Sequence, residues 1–348
     1  MTTLKEIAKR ANVSTATVSN VLNQNDSQVG IGTKELVLKI IKEMNYQPNR
    51  IAKSLRTKKT HTIGIIIEDI TVFNSPAIIN GIGEYAEEHG YNIILNNLRL
   101  YQRVGNNYAD IEKCRNNISN LIESILSTDT DGVIYVGAHY RDVTGIAQGI
   151  RKPIVYTYCY ADHKNSNWVN FDDEEASYDV VEYLMSYGHE RIGLITGMVN
   201  SIPSQERLKG YQRAIINNKL FINPGYIKVG DWTYESGYIK AKELLSEPYP
   251  PTAVFAMNDL MAGGAIKAAG EMGLRIPEDL SLVGFDNRES SFFFVPKLTT
   301  VEIPLAEMGK LSAQSLIELL QDLQPTHKNI KLKCKILPRN SVGIPNET

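Results

Sequence analysis

Thr3–Asn23 reads TLKEIAKRANVSTATVSNVLN, and its spacing decides the amino-terminal fold. Thr3 and Glu6 have the separation of a capping box, after which Leu4, Ile7, Ala8 and Ala11 fall on one helical face. This predicts a first helix over residues 4–11. Asn12 and Val13 interrupt the pattern, Ser14 is placed to cap a second helix, and Val18, Val21 and Leu22 supply its inward side. Left outside or on the flank are Thr15, Ala16, Thr17, Ser19 and Asn20. Hydroxyls and amides there are indifferent helix formers but good partners for phosphates and base edges. Two short helices joined by a tight turn make a helix-turn-helix, whose second helix enters the major groove of DNA. A third amphipathic pattern, Leu36, Val37, Ile40, Ile41 and Met44, closes a small all-α core.

Charge separates this end from the rest of the chain. Residues 1–60 hold 11 Lys or Arg against 4 Asp or Glu, a balance of +7, whereas the remaining residues carry 26 against 35, a balance of −9. A basic head on an acidic body is the electrostatic footprint of nucleic-acid binding confined to one end. The basic strip Asn49-Arg50-Ile51-Ala52-Lys53-Ser54-Leu55-Arg56-Thr57-Lys58-Lys59 follows Pro48, with Ile51, Ala52 and Leu55 at helical spacing. It is too short to hold as an isolated helix, so it reads as a hinge that folds on DNA, with Leu55 as a wedge between base steps.

From Thr62 onward, short β-branched runs alternate with helical stretches: IGIII, YNIILNN, DGVIYV and PIVYTY, then IGLITG, IKVG, AVFAMN, LSLVGF, LTTVEI and KCKIL. That alternation specifies parallel sheets covered on both faces. These ten runs suit two sheets better than one, with a break expected after Tyr158. Ligands of such sheets bind at the carboxyl ends of the strands. Arg207, Trp232, Asn258 and Asp286 all fall just past predicted strand ends. Together they bring a guanidinium, a carboxylate and an amide beside an indole face.

Several motifs occur in order along nearly the whole length: TLKEIAKRANVSTATVSNVLN, PNRIAKSLR, GHERIGLITG, ERLKGY, NDLMAGGAIKAAGEMGLRIPEDLSLVGFD and LTTVEIPLAEMGK. In these the chain resembles the LacI/GalR family of bacterial transcription regulators. The resemblance implies an all-α helix-turn-helix head over residues 1–48 and a hinge over 49–60. It also implies an α/β body over 61–348 with the two-lobed type I periplasmic-binding-protein fold and three crossovers. The lobes are expected at about 61–158 with 290–322, and about 159–289 with 323–348. By the same resemblance Thr15, Ala16, Thr17 and Asn20, with the hinge residues Asn49, Arg50, Ala52, Leu55 and Arg56, contact a pseudo-palindromic operator. A homodimer formed through the body presents the two heads. Asn20 stands where several relatives carry Arg or His, which shifts the expected base from guanine toward adenine.

In the family the residues matching Arg207, Trp232, Asn258 and Asp286 hold the effector, commonly a sugar. Where many members carry an aromatic run after the first body strand, this chain has Val72-Phe73-Asn74-Ser75, so Asn74 and Ser75 join the expected effector site and make it more polar. Tyr158 occupies a position often given to Asp, and Ile303 one often given to Gln. A carbohydrate effector is therefore expected, with a nucleobase or other non-sugar co-repressor as the alternative.

Other classes are disfavoured. No GxSxG, HExxH or Walker loop occurs, and Gly81-Ile82-Gly83 sits inside a helical pattern rather than at a strand-to-helix turn, so no enzyme is expected. Cys114, Cys159 and Cys334 are widely separated, and the six histidines are scattered, so no metal or cofactor is expected; His189 reads as a helix-end cap. The opening MTTLKEIAKR has no apolar signal core and no run is long enough to span a membrane, which gives the expectation of a soluble cytoplasmic protein.

Overall fold

A computed structural model describes residues 3–22, 28–46, 59–105, 118–123, 127, 130–144, 150–161 and 166–346. The chain divides into two compact units, Met1–Thr60 and His61–Thr348.

In the first unit, α1 (Leu4–Ala11), α2 (Thr15–Leu22) and α3 (Ile31–Glu43) enclose Ile7, Ala8, Ala11, Val18, Val21, Val37 and Ile40. The expected capping box is present: the Thr3 amide donates to Glu6 at 2.8 Å, and the Glu6 amide donates to the Thr3 hydroxyl at 3.3 Å. Asn12, in the left-handed region at φ 54°, ends α1. Ser14 then caps α2 by accepting from the Thr17 amide at 3.0 Å. Leu36 departs from expectation. It is 46% exposed, because residues 37, 40, 41 and 44 complete the inward face of α3 and position 36 lies a hundred degrees from Val37.

The second unit contains two parallel sheets. The first has the order β11-β5-β4-β3-β1-β2, formed by β1 (Thr62–Ile67), β2 (Asn92–Asn97), β3 (Gly132–Val136), β4 (Ile154–Thr157), β5 (Asn167–Phe171) and β11 (Ile330–Leu332). The second has the order β7-β6-β8-β9, formed by β6 (Ile192–Thr196), β7 (Ile227–Val229), β8 (Ala253–Ala256) and β9 (Ser281–Val283). Beside β9, β10 (Thr300–Glu302) pairs antiparallel with β12 (Lys335–Leu337) and continues the second layer through the Val283–Thr299 bridge.

Helices α4 (Ser75–Glu88), α5 (Leu100–Val104) and α11 (Leu305–Leu320) belong to the first lobe, and α6 (Asp173–Ser186), α7 (Ile202–Asn217), α8 (Tyr234–Leu245), α9 (Asp259–Glu271) and α10 (Ser290–Phe293) to the second. Close helix approach needs glycine where the backbones meet. A Cβ on Gly81 would lie 2.0 Å from the Ala306 carbonyl oxygen, which is why this glycine belongs to the α4–α11 packing.

The lobe boundaries require correction. The first sheet does not end at Tyr158 but takes in β5, and β11 returns to it, so residues 167–171 and 330–332 belong to the lobe opposite to that expected. Residues 299–302, expected in the first lobe, lie beside β9 in the second. The chain crosses three times, at Asp172, at Ile303-Pro304 and at Lys333-Cys334. All of the parallel strands present their carboxyl ends toward these crossings, and Phe171 of the first sheet meets Phe285 past β9 with ring centroids 6.3 Å apart. Among the described residues, no helix is long and apolar enough to cross a membrane, and no His, Cys, Asp and Glu group could hold a metal ion.

Candidate functional site

On the head, Thr15 and Ala16 are exposed on α2, whereas Thr17 and Asn20 are half-buried. The Thr17 hydroxyl lies 2.9 Å from that of Ser14, so it serves the helix cap first. The Asn20 amide donates to Gln28 Oε1 at 3.0 Å. Gln28, which the sequence pattern does not single out, therefore holds Asn20 before any DNA arrives. The expected hinge contacts Asn49, Arg50, Ala52, Leu55 and Arg56 lie outside the described residues.

On the body, three of the expected effector residues converge between the lobes. Arg207, on the second turn of α7, is 2% exposed; its Nε donates to Asp173 at 2.7 Å and one terminal nitrogen to the Met257 carbonyl. Its guanidinium lies 3.6 Å from the Phe285 ring centroid and 5.7 Å from that of Trp232, and Asp286 stands 4.0 Å away. Burial pushes the Asp173 carboxyl up to about 6 against the pull of Arg207, and raises Asp286 against Arg207 and Arg288. The Tyr158 hydroxyl is also raised, by burial and then by the Asp173 charge, which puts Tyr158 in the same group; its ring stacks on Phe171 at 5.3 Å.

Trp232 has φ 75° and packs its indole flat on the end of β6, where a Cβ on Gly197 would fall 2.0 Å from the ring. It nevertheless keeps part of its surface open. Asp286 and Asn287 follow one another at φ 106° and 51°, a conformation that non-glycine residues hold only when their surroundings fix it. Asp259 does the fixing. Wholly buried, it accepts from the Arg288 amide at 2.7 Å and from the Thr300 hydroxyl at 2.5 Å. Burial, and then the Asp286 charge, push its carboxyl up to about 7.

Other expected residues are scaffold. Asn258 caps α9, accepting from the Met261 amide at 2.8 Å, and donates to the Trp232 carbonyl at 2.9 Å, so both ends of its amide are engaged. The Ser75 hydroxyl donates to the Asp69 carbonyl at 2.7 Å in the interior. Asn74 is wholly buried and donates to the Ala138 carbonyl at 3.3 Å, while its Oδ1 has no partner. Beside it, the Arg288 guanidinium from the other lobe sits 4.2 Å over Phe73. His189 is not a helix cap: its ring is buried and links Thr252, Ser281 and the Gly343 carbonyl, each at 2.9 Å. Asp173, Phe285 and Phe171 were missed. Asp173 obeys the same rule as the others, since it opens the helix after a strand, but NWVNF does not read as a strand.

Residues 3–49 match the model of the bacterial regulatory proteins of the lacI family, and residues 181–342 match that of a periplasmic binding protein-like domain. The HTH-type transcriptional repressor PurR of Pasteurella multocida is 33% identical over 344 residues, which cover 98% of this chain and 99% of that protein. The ribose operon repressor of Haemophilus influenzae is 30% identical over 345 residues, covering 98% and 99%. Among solved structures, the lac repressor dimer bound to operator and the anti-inducer ONPF superposes with a TM-score of 0.78 at 29% identity, covering 98% of this chain and 99% of that one.

Proposed function

The chain belongs to the lacI family of bacterial regulatory proteins, as a transcriptional repressor with an effector-binding body, and from that premise we propose that its effector is a neutral, hydroxyl-rich molecule, a sugar or sugar derivative. It is a regulator rather than an enzyme. The carrying observation is the balance of unspent groups between the lobes. Asn74 Oδ1 and Asp173 Oδ2 are buried acceptors without partners. Arg207, by contrast, is engaged by Asp173, the Met257 carbonyl and the Phe285 face. Such a cleft asks for donors, which sugar hydroxyls supply and phosphate oxygens do not. The aromatic surfaces of Phe171, Phe285 and Trp232 also suit a flat nucleobase, the second reading. Thermal unfolding of the full chain with neutral sugars, sugar phosphates and nucleobases separates the two. A ligand at 100 times its dissociation constant adds about 2.7 kcal/mol; stabilisation by nucleobases alone overturns the sugar reading.

The state of Asp173 makes a pH prediction. A sugar hydroxyl donating to this carboxyl needs it ionised, and in the free body it takes up its proton at about 6. Effector affinity should therefore rise as pH climbs, by about tenfold from pH 5 to pH 7. Asp173→Asn should flatten the profile. An unchanged slope in that variant would assign the titration elsewhere.

For the head, the reading is a dimer that binds a pseudo-palindromic operator in the cytoplasm, with Thr15, Ala16 and Asn20 toward base edges and the hinge residues Asn49, Arg50, Ala52, Leu55 and Arg56 toward the backbone and minor groove. Edge strand β2 leaves Ile93, Ile94 and Leu95 each more than a third exposed, an apolar edge suited to a second subunit. With an operator selected from random duplexes, Asn20→Ala should lose about 1 to 3 kcal/mol of discrimination at one base pair per half-site and leave non-specific binding intact. A uniform loss across sequences would make Asn20 a fold residue held by Gln28.

A further inference from the structure

Asn170, in β5, is 1% exposed, yet neither its Nδ2 nor its Oδ1 has a hydrogen-bond partner. A buried amide left wholly unsatisfied is costly, and native structures hold few of them. Its surroundings are specific. In the sheet register it lies beside Lys331 of β11, whose ammonium reaches Asp172 at 3.7 Å and Glu206 of the opposite lobe at 3.6 Å. Two residues back on the same face is Trp168, 6.4 Å from the Tyr140 ring, which in turn lies 5.3 Å from Tyr160. The place is open at its rim, since Lys331 keeps 34% of its side chain exposed.

Resting on the sugar reading above, we propose that the cleft continues past Asp173 into a second subsite, in which the Asn170 amide grips a hydroxyl pair of a further sugar ring against the Tyr140–Trp168 wall, so that the effector is a disaccharide or glycoside. Asp173 joins the two halves. Its Oδ1 faces Arg207 and its Oδ2 is unspent, and both the Tyr140 and the Tyr158 hydroxyls, raised chiefly by burial, also feel its charge. An amide presents a donor beside an acceptor, the match of two neighbouring hydroxyls each of which can give or take. The ion pairs of Lys331 span the same rim and close over a ligand seated there.

The test is thermal unfolding of the full chain, wild type and Asn170→Leu, with glucose, galactose, fructose and ribose against maltose, cellobiose, lactose and sucrose. The free variant should melt at or above the wild-type temperature, because leucine keeps the branched shape and removes two unsatisfied atoms. At least one disaccharide should bind wild type about tenfold or more tighter than its component monosaccharides, and in Asn170→Leu that ratio should fall to about twofold or less. Asn170→Thr, with the amide removed and a hydroxyl in its place, should lose the same selectivity. A monosaccharide that binds wild type as tightly as every disaccharide overturns the subsite and leaves the sugar reading standing. So does a ratio that survives the substitution, or a free variant that melts lower or fails to fold. Stabilisation by nucleobases and by no saccharide overturns both.

Discussion

Replacing Arg207 by alanine should destabilise the body by about 3 to 5 kcal/mol and abolish its response to effector in the same step. The side chain is 2% exposed and holds two buried carboxyls in place, one at 2.7 Å and the other at 4.0 Å. Without it Asp173 loses the buried cation that holds it, Asp286 keeps only Arg288 at 3.2 Å, and the Phe285 face loses the guanidinium lying 3.6 Å above it. The carboxyls answer by binding protons, which raises two values that burial has already lifted. The sign of the pH dependence follows. A carboxyl whose folded value is raised binds protons more tightly in the folded than in the unfolded state, so its stability contribution is fully present at low pH and is lost as pH rises through the folded value. Arg207→Ala should thus be penalised more at pH 8 than at pH 5 in urea unfolding, and adding Asp173→Asn should recover part of the pH 8 loss. Equal midpoints for wild type and variant at both pH values would mean that the pair is solvated, and the account of the site would fail with it.

What was legible in the sequence is what local physics controls. The head follows from capping and helical period, both of which act within a few residues, and α1 begins and ends where Thr3, Glu6 and Asn12 dictate. β1, β3, β4, β6 and β8 are apolar runs buried almost throughout on both faces, so they announce themselves. β5 does not, because Asn167 and Asn170 break its apolar run, and β11 is only three residues long. Losing β5 moved the lobe boundary and hid Asp173, the residue that opens the following helix. A different failure separates Arg207 from Asn258 and Ser75. All three satisfy the strand-end rule or the family pattern, but whether a polar group remains free for a ligand depends on which partners the fold turns toward it, Trp232 for Asn258 and Asp69 for Ser75. The unspent atoms of Asn74, Asn170 and Asp173 could be found only once those partners were in view.

Trp232→Ala should lower effector affinity by about tenfold to a hundredfold and remove most of the effector-induced change in fluorescence. There are two tryptophans to report, Trp168 and Trp232. Trp168 is 7% exposed and stands at the second subsite rather than beside Arg207, so Trp168→Phe should keep the part of the change that Trp232 reports. Trp232 combines two conditions that usually exclude each other: one face packs tightly within its own lobe, while part of the ring stays open toward Arg207. A loss of stability in Trp232→Ala is consequently expected, at the lower end of the roughly 3 to 5 kcal/mol seen for buried tryptophan, and does not argue against a role in binding. Gly197→Ala separates platform from packing. The new methyl would stand 2.0 Å from the indole, so the ring must shift while every donor and acceptor of the site remains. If Trp232 is the platform, this variant loses effector affinity nearly as far as Trp232→Ala and its emission is displaced before any ligand is added. If effector binds Gly197→Ala as tightly as wild type, the indole is filler, and recognition rests on the polar groups of the cleft.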